Sequence, residues 1–155
     1  MVAKQELPGQ IEPLTDGSRL TAPLWFAWFT FLRDTLATFL GAWRATFTPV
    51  ATAGAGGPPT VTASCRFLQT GRTVSVQLQA TITALNGASG PLLLSLPVAP
   101  AARNAVLFGS EIALTGKAVR GVIGSGGSTV SITYFDNTTV LAVNNVVVLN
   151  GIYEV

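Results

Sequence analysis

The feature that most constrains the fold is an aromatic stretch at residues 21–43, TAPLWFAWFTFLRDTLATFLGAW. It holds all three tryptophans and four of the eight phenylalanines of the chain. Thr21 and Pro23 suit the first turn of a helix, and Gly41 suits its end. The stretch therefore predicts one hydrophobic α-helix of about 20 residues, roughly 30 Å long.

The apolar residues of this stretch recur every three or four positions, which is the period of one helical face. Further apolar residues widen the face, so we expect it to be buried on two sides, as in a three-helix bundle. We interpret it as the interface for oligomerisation or anchoring. Its members are Trp25, Trp28, Phe29, Leu32, Leu36, Phe39, Leu40 and Trp43.

A membrane span is the alternative use of such a helix, because about 20 apolar residues cross a bilayer. Arg33 and Asp34 stand near its middle, where each charge costs about 2.5–3.5 kcal/mol on insertion scales. No cluster of Lys or Arg flanks either end, and the preceding residues are mixed and polar, unlike a signal peptide. The sequence therefore favours burial against protein over insertion into lipid.

The composition also points to an assembly. Only 10% of the 155 residues are charged and 48% are hydrophobic, whereas an average soluble domain carries about 25% charged residues. We expect other subunits to cover much of the surface. The net charge of +2 is small and scattered, which argues against a nucleic-acid partner.

After the aromatic stretch, the hydrophobic period changes from helical to alternating, most clearly at residues 73–85. Short strands with turns every 8–12 residues are typical of a β-sandwich or jelly roll. We predict a mainly β chain in which an extended attachment arm (1–20) and the helix (21–43) precede an antiparallel, jelly-roll-like β-sandwich (44–155). Strands are predicted at 44–50, 60–68, 73–85, 91–96, 105–114, 117–123, 129–135 and 146–155, with a Gly- and Pro-rich loop at 51–59.

Residues that could bind a metal ion or act in catalysis are scarce. The chain has no histidine and one cysteine, Cys65, so we expect no His- or Cys-ligated metal, no cofactor and no His-based catalysis. Glu111, Asp136 and Glu154 are the acids of the β part, and two of them could form a glycosidase pair. Because Asp136 belongs to a turn, we predict that the protein is not an enzyme.

Two loops are candidates for ligand contacts if the β part is a binding module. The first is the turn with Asn86 and Ser89, and the second is the glycine link with Ser125 and Ser128. The second loop lacks the Lys-Ser/Thr of a phosphate-binding loop and a following helix. We therefore interpret it as a strand connection whose hydroxyls could reach a ligand.

The order of these features resembles a family of phage proteins. An opening strand with Thr48-Pro49-Val50 is followed by a Gly-rich loop, the segment CRFLQTGRTVSVQLQATIT, the segment SGPLLLSLP and the ending NGIYEV. The N-terminal DGSRLTAPLWFAWFTFL resembles a short attachment segment with a Trp/Phe-rich helix. In this order, the motifs resemble the small β-sandwich fibre, spike and head-decoration proteins of tailed phages or phage-like particles.

The resemblance implies a non-enzymatic structural protein on the surface of a virion head or tail. It implies a homotrimer whose arm and helix bind other virion structural proteins, with the β domain facing outward. The alternative is a carbohydrate- or receptor-binding module for host attachment. Unlike longer members of the family, the chain has no extended shaft.

Overall fold

The helix forms within the predicted stretch. In a computed structural model, residues 23–41, 45–99 and 101–155 are described, without the side chains of 23–25, 36–41 and 45. Helix α1 (Pro23–Gly41) has 19 residues, with Pro23 in the first turn, where its missing N–H costs no hydrogen bond. The predicted arm at 1–20, the cap at Thr21 and the contact of Trp43 lie outside the described residues.

The chain divides into two units between Ala42 and Trp43, and the second unit is one antiparallel sheet. Its strand order is β1-β3-β4-β9-β6-β7-β8-β5-β2. The mainly β prediction is confirmed, in the form of a curled sheet with nine strands. The strands are β1 (Ala45–Phe47), β2 (Ala51–Ala55), β3 (Thr60–Thr70), β4 (Thr73–Ala84), β5 (Ser89–Ser95), β6 (Ala105–Glu111), β7 (Ala118–Ile123), β8 (Thr129–Tyr134) and β9 (Val146–Glu154).

Alternation decides which side chains enter the core. Along β4, every second residue from Val74 to Ile82 is buried, and the residues between them are exposed or half-buried. This confirms the predicted half-buried strand. The other long strands follow the same rule, so one face of the sheet forms a continuous apolar core. We call the opposite face the outer face.

The prediction of a loop at 51–59 is wrong in its first half, because β2 occupies Ala51–Ala55. This strand pairs with β5, with a register shift between Ala53 and Ala55. A Cβ atom at Gly54 would lie 2.6 Å from Cδ of Pro91. The glycine that indicated a chain break in the sequence instead permits two strands to approach closely.

One short chain segment completes both edges of the sheet. β1 pairs with β3 at one edge, and β2 pairs with β5 at the other. The three residues between them include the buried Pro49. Two hydrogen bonds join Val50 to Ser95. The Val50 N–H donates to Oγ of Ser95 at 2.8 Å, and the Ser95 N–H donates to the carbonyl oxygen of Val50 at 3.1 Å. β1 pairs with only residues 65–67 of the 11-residue β3, so the rest of that edge has no strand partner among the described residues.

The last strand in chain order, β9, is an interior strand of the sheet. β9 lies between β4 and β6. It pairs with β4 along nine residues and with β6 along four. Two glycines allow β6 and β9 to approach: a Cβ atom at Gly109 would lie 1.7 Å from the carbonyl oxygen of Val148, and one at Gly151 would lie 2.6 Å from Cδ2 of Leu107.

Candidate functional site

Helix α1 presents large apolar side chains to solvent. Phe26 is 66% exposed, Phe29 45% and Leu32 38%. The rings of Trp28 and Phe29 pack edge to face with centroids 5.2 Å apart. Arg33 and Asp34 form an exposed ion pair at 2.8 Å. Of the predicted interface, the side chains of Trp25, Leu36, Phe39 and Leu40, and all of Trp43, lie outside the described part.

An exposed apolar face of this kind marks a contact surface in a soluble protein. Within the described residues, no helix combines the length and the mean hydropathy needed to cross a membrane.

The first predicted ligand loop is a tight turn whose polar groups are bonded internally. Asn86 has a positive φ of 52°, which Asn tolerates better than most residues. Its Nδ2 donates to the carbonyl oxygen of Pro58 at 3.1 Å and to Oγ1 of Thr60 at 3.0 Å. Ser89 begins β5 and is exposed. The Asn86 side chain therefore holds two turns together.

The second predicted ligand loop is also tied to its neighbours. The Ser125 N–H donates to Oδ1 of Asn104 at 2.7 Å, and its hydroxyl donates to the carbonyl oxygen of Ala102 at 3.0 Å. The carbonyl oxygen of Ser128 accepts from the N–H of Leu96 at 2.9 Å.

The two loops lie at opposite ends of the sheet. The turn after β4 lies beside the start of β9, because Thr81 pairs with Val146. The link after β7 lies beside the start of β6, because Ala105 pairs with Ile123. Since β6 and β9 are antiparallel, the start of β6 lies at the same end of the sheet as the end of β9. The structure therefore does not bring Asn86 and Ser89 together with Ser125 and Ser128. A ligand contact at either loop alone stays a prediction.

Glu111 is fully buried and its carboxylate organises the loop that follows β6. It accepts backbone hydrogen bonds from Ala113 at 2.5 Å, Leu114 at 2.7 Å, Gly116 at 3.1 Å and Thr115, and a hydroxyl bond from Thr115 at 2.8 Å. Burial by itself would raise the pKa of Glu111, but these bonds outweigh it and lower the pKa to about 2. The predicted strand at 105–114 ends at Glu111 for this reason.

The three acids of the β unit do not form a paired site. Glu154 forms an exposed ion pair with Arg103 at 3.6 Å, at the end of the sheet opposite Glu111. Asp136 accepts from the N–H of Thr138 at 2.9 Å and lies 3.7 Å from Nζ of Lys117. In the described part of the chain, no group of three or more His, Cys, Asp or Glu residues could hold a metal ion.

Cys65 is buried in the core, and this burial raises the pKa of its thiol to about 11. A thiol in this state is not a nucleophile at neutral pH.

The sequence did not predict a polar depression on the outer face of β1, β3, β4 and β9. Its volume is about 340 Å³, at the lower end of the range for small-molecule sites. The lining residues are Thr46, Ser64, Cys65, Arg66, Gln77, Leu78, Gln79 and Val148. The side chains of Cys65 and Leu78 are buried, so the outward groups are two hydroxyls, one guanidinium, two amides and one half-buried valine.

Strand register aligns four side chains of the outer face in one row, two of which, Arg66 and Gln77, line the depression. Arg66 pairs with Gln77, Gln77 with Asn150, and Asn150 with Phe108. We call Arg66, Gln77, Asn150 and Phe108 the cross-strand row. Phe108 is 57% exposed, and its ring stacks on that of Phe135 with centroids 6.0 Å apart.

No family model, curated protein or solved structure matches the chain. The likeness to phage fibre, spike and head-decoration proteins therefore stays a hypothesis that rests on the motifs of the sequence.

The cross-strand row can hydrogen-bond a ligand without first breaking protein contacts. Among the described residues, the side chains of Arg66, Gln77 and Asn150 form no hydrogen bond or ion pair with the protein. A guanidinium favours carboxylates and phosphates, and primary amides both donate and accept. The row thus offers one cation, two amides and one aromatic ring on a rigid sheet.

The sequence predicts which side chains of β4 face this site. Alternation at residues 73–85 predicted that Gln77 and Gln79 face away from the core, and the structure confirms it. Gln77 pairs with Arg66 inside the β3–β4 hairpin, which the turn at Gly71-Arg72 predicts. Its pairing with Asn150 depends on the sheet order, and no local pattern indicates it.

Proposed function

We propose that the protein is a non-enzymatic structural protein of a phage or phage-like virion, located on the surface of the head or tail. Helix α1 and the arm before it bind other virion proteins and hold three copies of the chain together. The observation that carries this proposal is the exposed apolar face of α1 on a chain in which only 10% of residues are charged. A face of this kind is stable in water only when it is covered.

Sedimentation of full-length variants in detergent-free buffer tests this role of the helix. We expect Trp28→Asp and Leu32→Asp to convert a trimer into a monomer at micromolar concentration, because each places a charge in the covered face. Each substitution removes the roughly 2–3 kcal/mol of stabilisation that burial of the apolar side chain contributes per chain, and it adds the cost of burying a charge.

Ala27→Asp is the matched control, since it adds the same charge at an exposed position of α1 that lies on the side away from Phe29 and Leu32. It should leave the trimer intact. A full-length protein that sediments as a monomer, or a trimer that survives both substitutions in the face, would reject the proposal. Recovery of the wild type only with detergent would instead identify a lipid anchor.

We also propose that the curled sheet is organised as a jelly-roll-like β-sandwich, in which the half with β4 packs over the half with β8. Inward side chains of both halves belong to one apolar cluster, which supports this arrangement. Nuclear Overhauser contacts between methyl groups of Val76 or Leu78 and those of Val130 or Ile132 are expected. Their absence would contradict two-layer packing.

The second candidate function is a carbohydrate- or receptor-binding module for host attachment. It is favoured by a specific observation, the polar depression with unpaired side chains on the outer face. A rigid surface with uncommitted donors and acceptors is what recognition of a polar ligand needs.

A further inference from the structure

We propose that the cross-strand row binds an oligosaccharide that carries carboxylate groups. The acid group is bound by Arg66, the hydroxyls by Gln77 and Asn150, and one sugar ring by the face of Phe108. This inference rests on the second candidate function and deepens it by naming the site and the class of ligand. It does not depend on the assembly role of the helix.

The charge of Arg66 selects an acidic ligand. It is exposed, and it alone among the described cationic side chains has neither an ion pair nor a hydrogen bond. By contrast, Arg103 pairs with Glu154, Lys117 with Asp136, and Arg72 donates to the carbonyl oxygen of Val155. A free guanidinium can bind a carboxylate through two parallel hydrogen bonds.

The amides beside Arg66 select hydroxyl groups. Gln77 and Asn150 face each other in direct register, and Gln79 stands two residues along β4 on the same face. Each amide offers two N–H donors and one carbonyl acceptor, which suits hydroxyls that donate and accept at once. Ser64, paired with Gln79, adds a further hydroxyl to the depression.

The row has the length and shape of a short oligosaccharide. Arg66 and Phe108 are separated by three strand spacings, roughly 14 Å. The Phe108 ring is exposed and is steadied by its stacking on Phe135, so it offers an apolar platform to one ring face. An apolar peptide fits less well, because Val148 is the one outward apolar side chain among the residues that line the depression.

The test is calorimetric titration of the full-length protein with short oligosaccharides of galacturonic, mannuronic and glucuronic acid and with sialyllactose. Maltotriose serves as the neutral probe. We expect saturable binding of at least one acidic probe, stronger than maltotriose, that weakens as salt is raised. Arg66→Gln should weaken it about tenfold or more, and Phe108→Ala should weaken it severalfold.

Arg103→Gln is the matched control, because it removes one positive charge at an exposed site outside the row and should leave the affinity unchanged. The inference is overturned if no acidic probe binds, if maltotriose binds equally well, or if both arginine variants lose affinity equally. Binding of a neutral glycan that does not respond to Arg66→Gln would reject this site and ligand while supporting the binding-module function. Sedimentation of the same samples reports the assembly role separately.

Discussion

At the scale of single residues, Glu111 shows how a buried charge can stabilise a loop. Its carboxylate is removed from water, which is unfavourable for an ion. Four backbone N–H groups and one hydroxyl replace the lost water. The result is a fixed loop that displays the exposed side chains of Ile112 and Leu114. The carboxylate thus acts as the structural centre of the connection between β6 and β7.

We predict that Glu111→Gln lowers the free energy of unfolding at pH 7 by roughly 2–3 kcal/mol, because one carboxylate oxygen is replaced by an NH₂ group that faces N–H donors. The folded-state pKa of about 2 lies below the ordinary value of 4.5. The stabilisation by Glu111 is therefore complete above about pH 4.5 and is lost as the pH falls toward 2. Urea unfolding of both proteins between pH 7 and pH 2.5 measures it.

Glu154→Gln provides the control, since it makes the same chemical change on an exposed acid whose ion pair with Arg103 spans 3.6 Å. It should cost little at any pH. A stability difference between wild type and Glu111→Gln that stays constant down to pH 2.5 would show that the charge of Glu111 is not what holds the loop.

The burial of Glu111 and its hydrogen-bond partners could not be predicted from the sequence. Glu111 was recognisable as one of three acids in the β part, but nothing in its neighbours marks it as buried. Its backbone donors are residues 113–116, whose N–H groups converge only once the turn has formed. A similar limit applies to Asn86, because nothing in its neighbours indicates that its side chain bonds to Pro58 and Thr60; a ligand contact at this turn stays a prediction.

At the scale of elements, the period of apolar residues predicted most of what forms. Helix α1 and the alternating strand β4 follow from local spacing alone. Strand β2 did not, because its sequence ATAGA has small residues and a glycine, and its stability comes from pairing with β5. Tertiary contacts can override a weak local preference in this way.

We predict that Gly109→Ala destabilises the protein by about 2–3 kcal/mol, because its methyl group would meet the backbone of β9. The contact joins two neighbouring strands at the middle of the sheet, and the carbonyl oxygen of Val148 cannot move without loosening the ladder. Urea unfolding at neutral pH gives the difference in free energy.

Gly124→Ala is the comparison variant, since a Cβ atom there would have no neighbour within 4 Å. Its stability should lie within about 0.5 kcal/mol of wild type. Equal stability of the two glycine variants would contradict the close approach of β6 and β9.

At the scale of the whole molecule, the sheet order is the part that the sequence could not supply. Several strands have an alternating pattern, and the turn at Gly71-Arg72 indicates that 60–70 and 73–84 are neighbours, but no pattern states that 146–154 pairs with the other edge of 73–84. The cross-strand row depends entirely on that order, since its four residues come from four strands. The predicted loops were local features, whereas the candidate site is built from registers between distant segments.

The position of β9 has a consequence for how the protein is made. Of the nine strands, this one is the last to leave the ribosome, yet it lies inside the sheet and joins β4 to β6. Without it, β4 pairs only with β3 and β6 only with β7, so each of these two strands has one open edge. A product interrupted before Val146 therefore keeps the facing edges of β4 and β6 unpaired, and open strand edges of this kind favour aggregation.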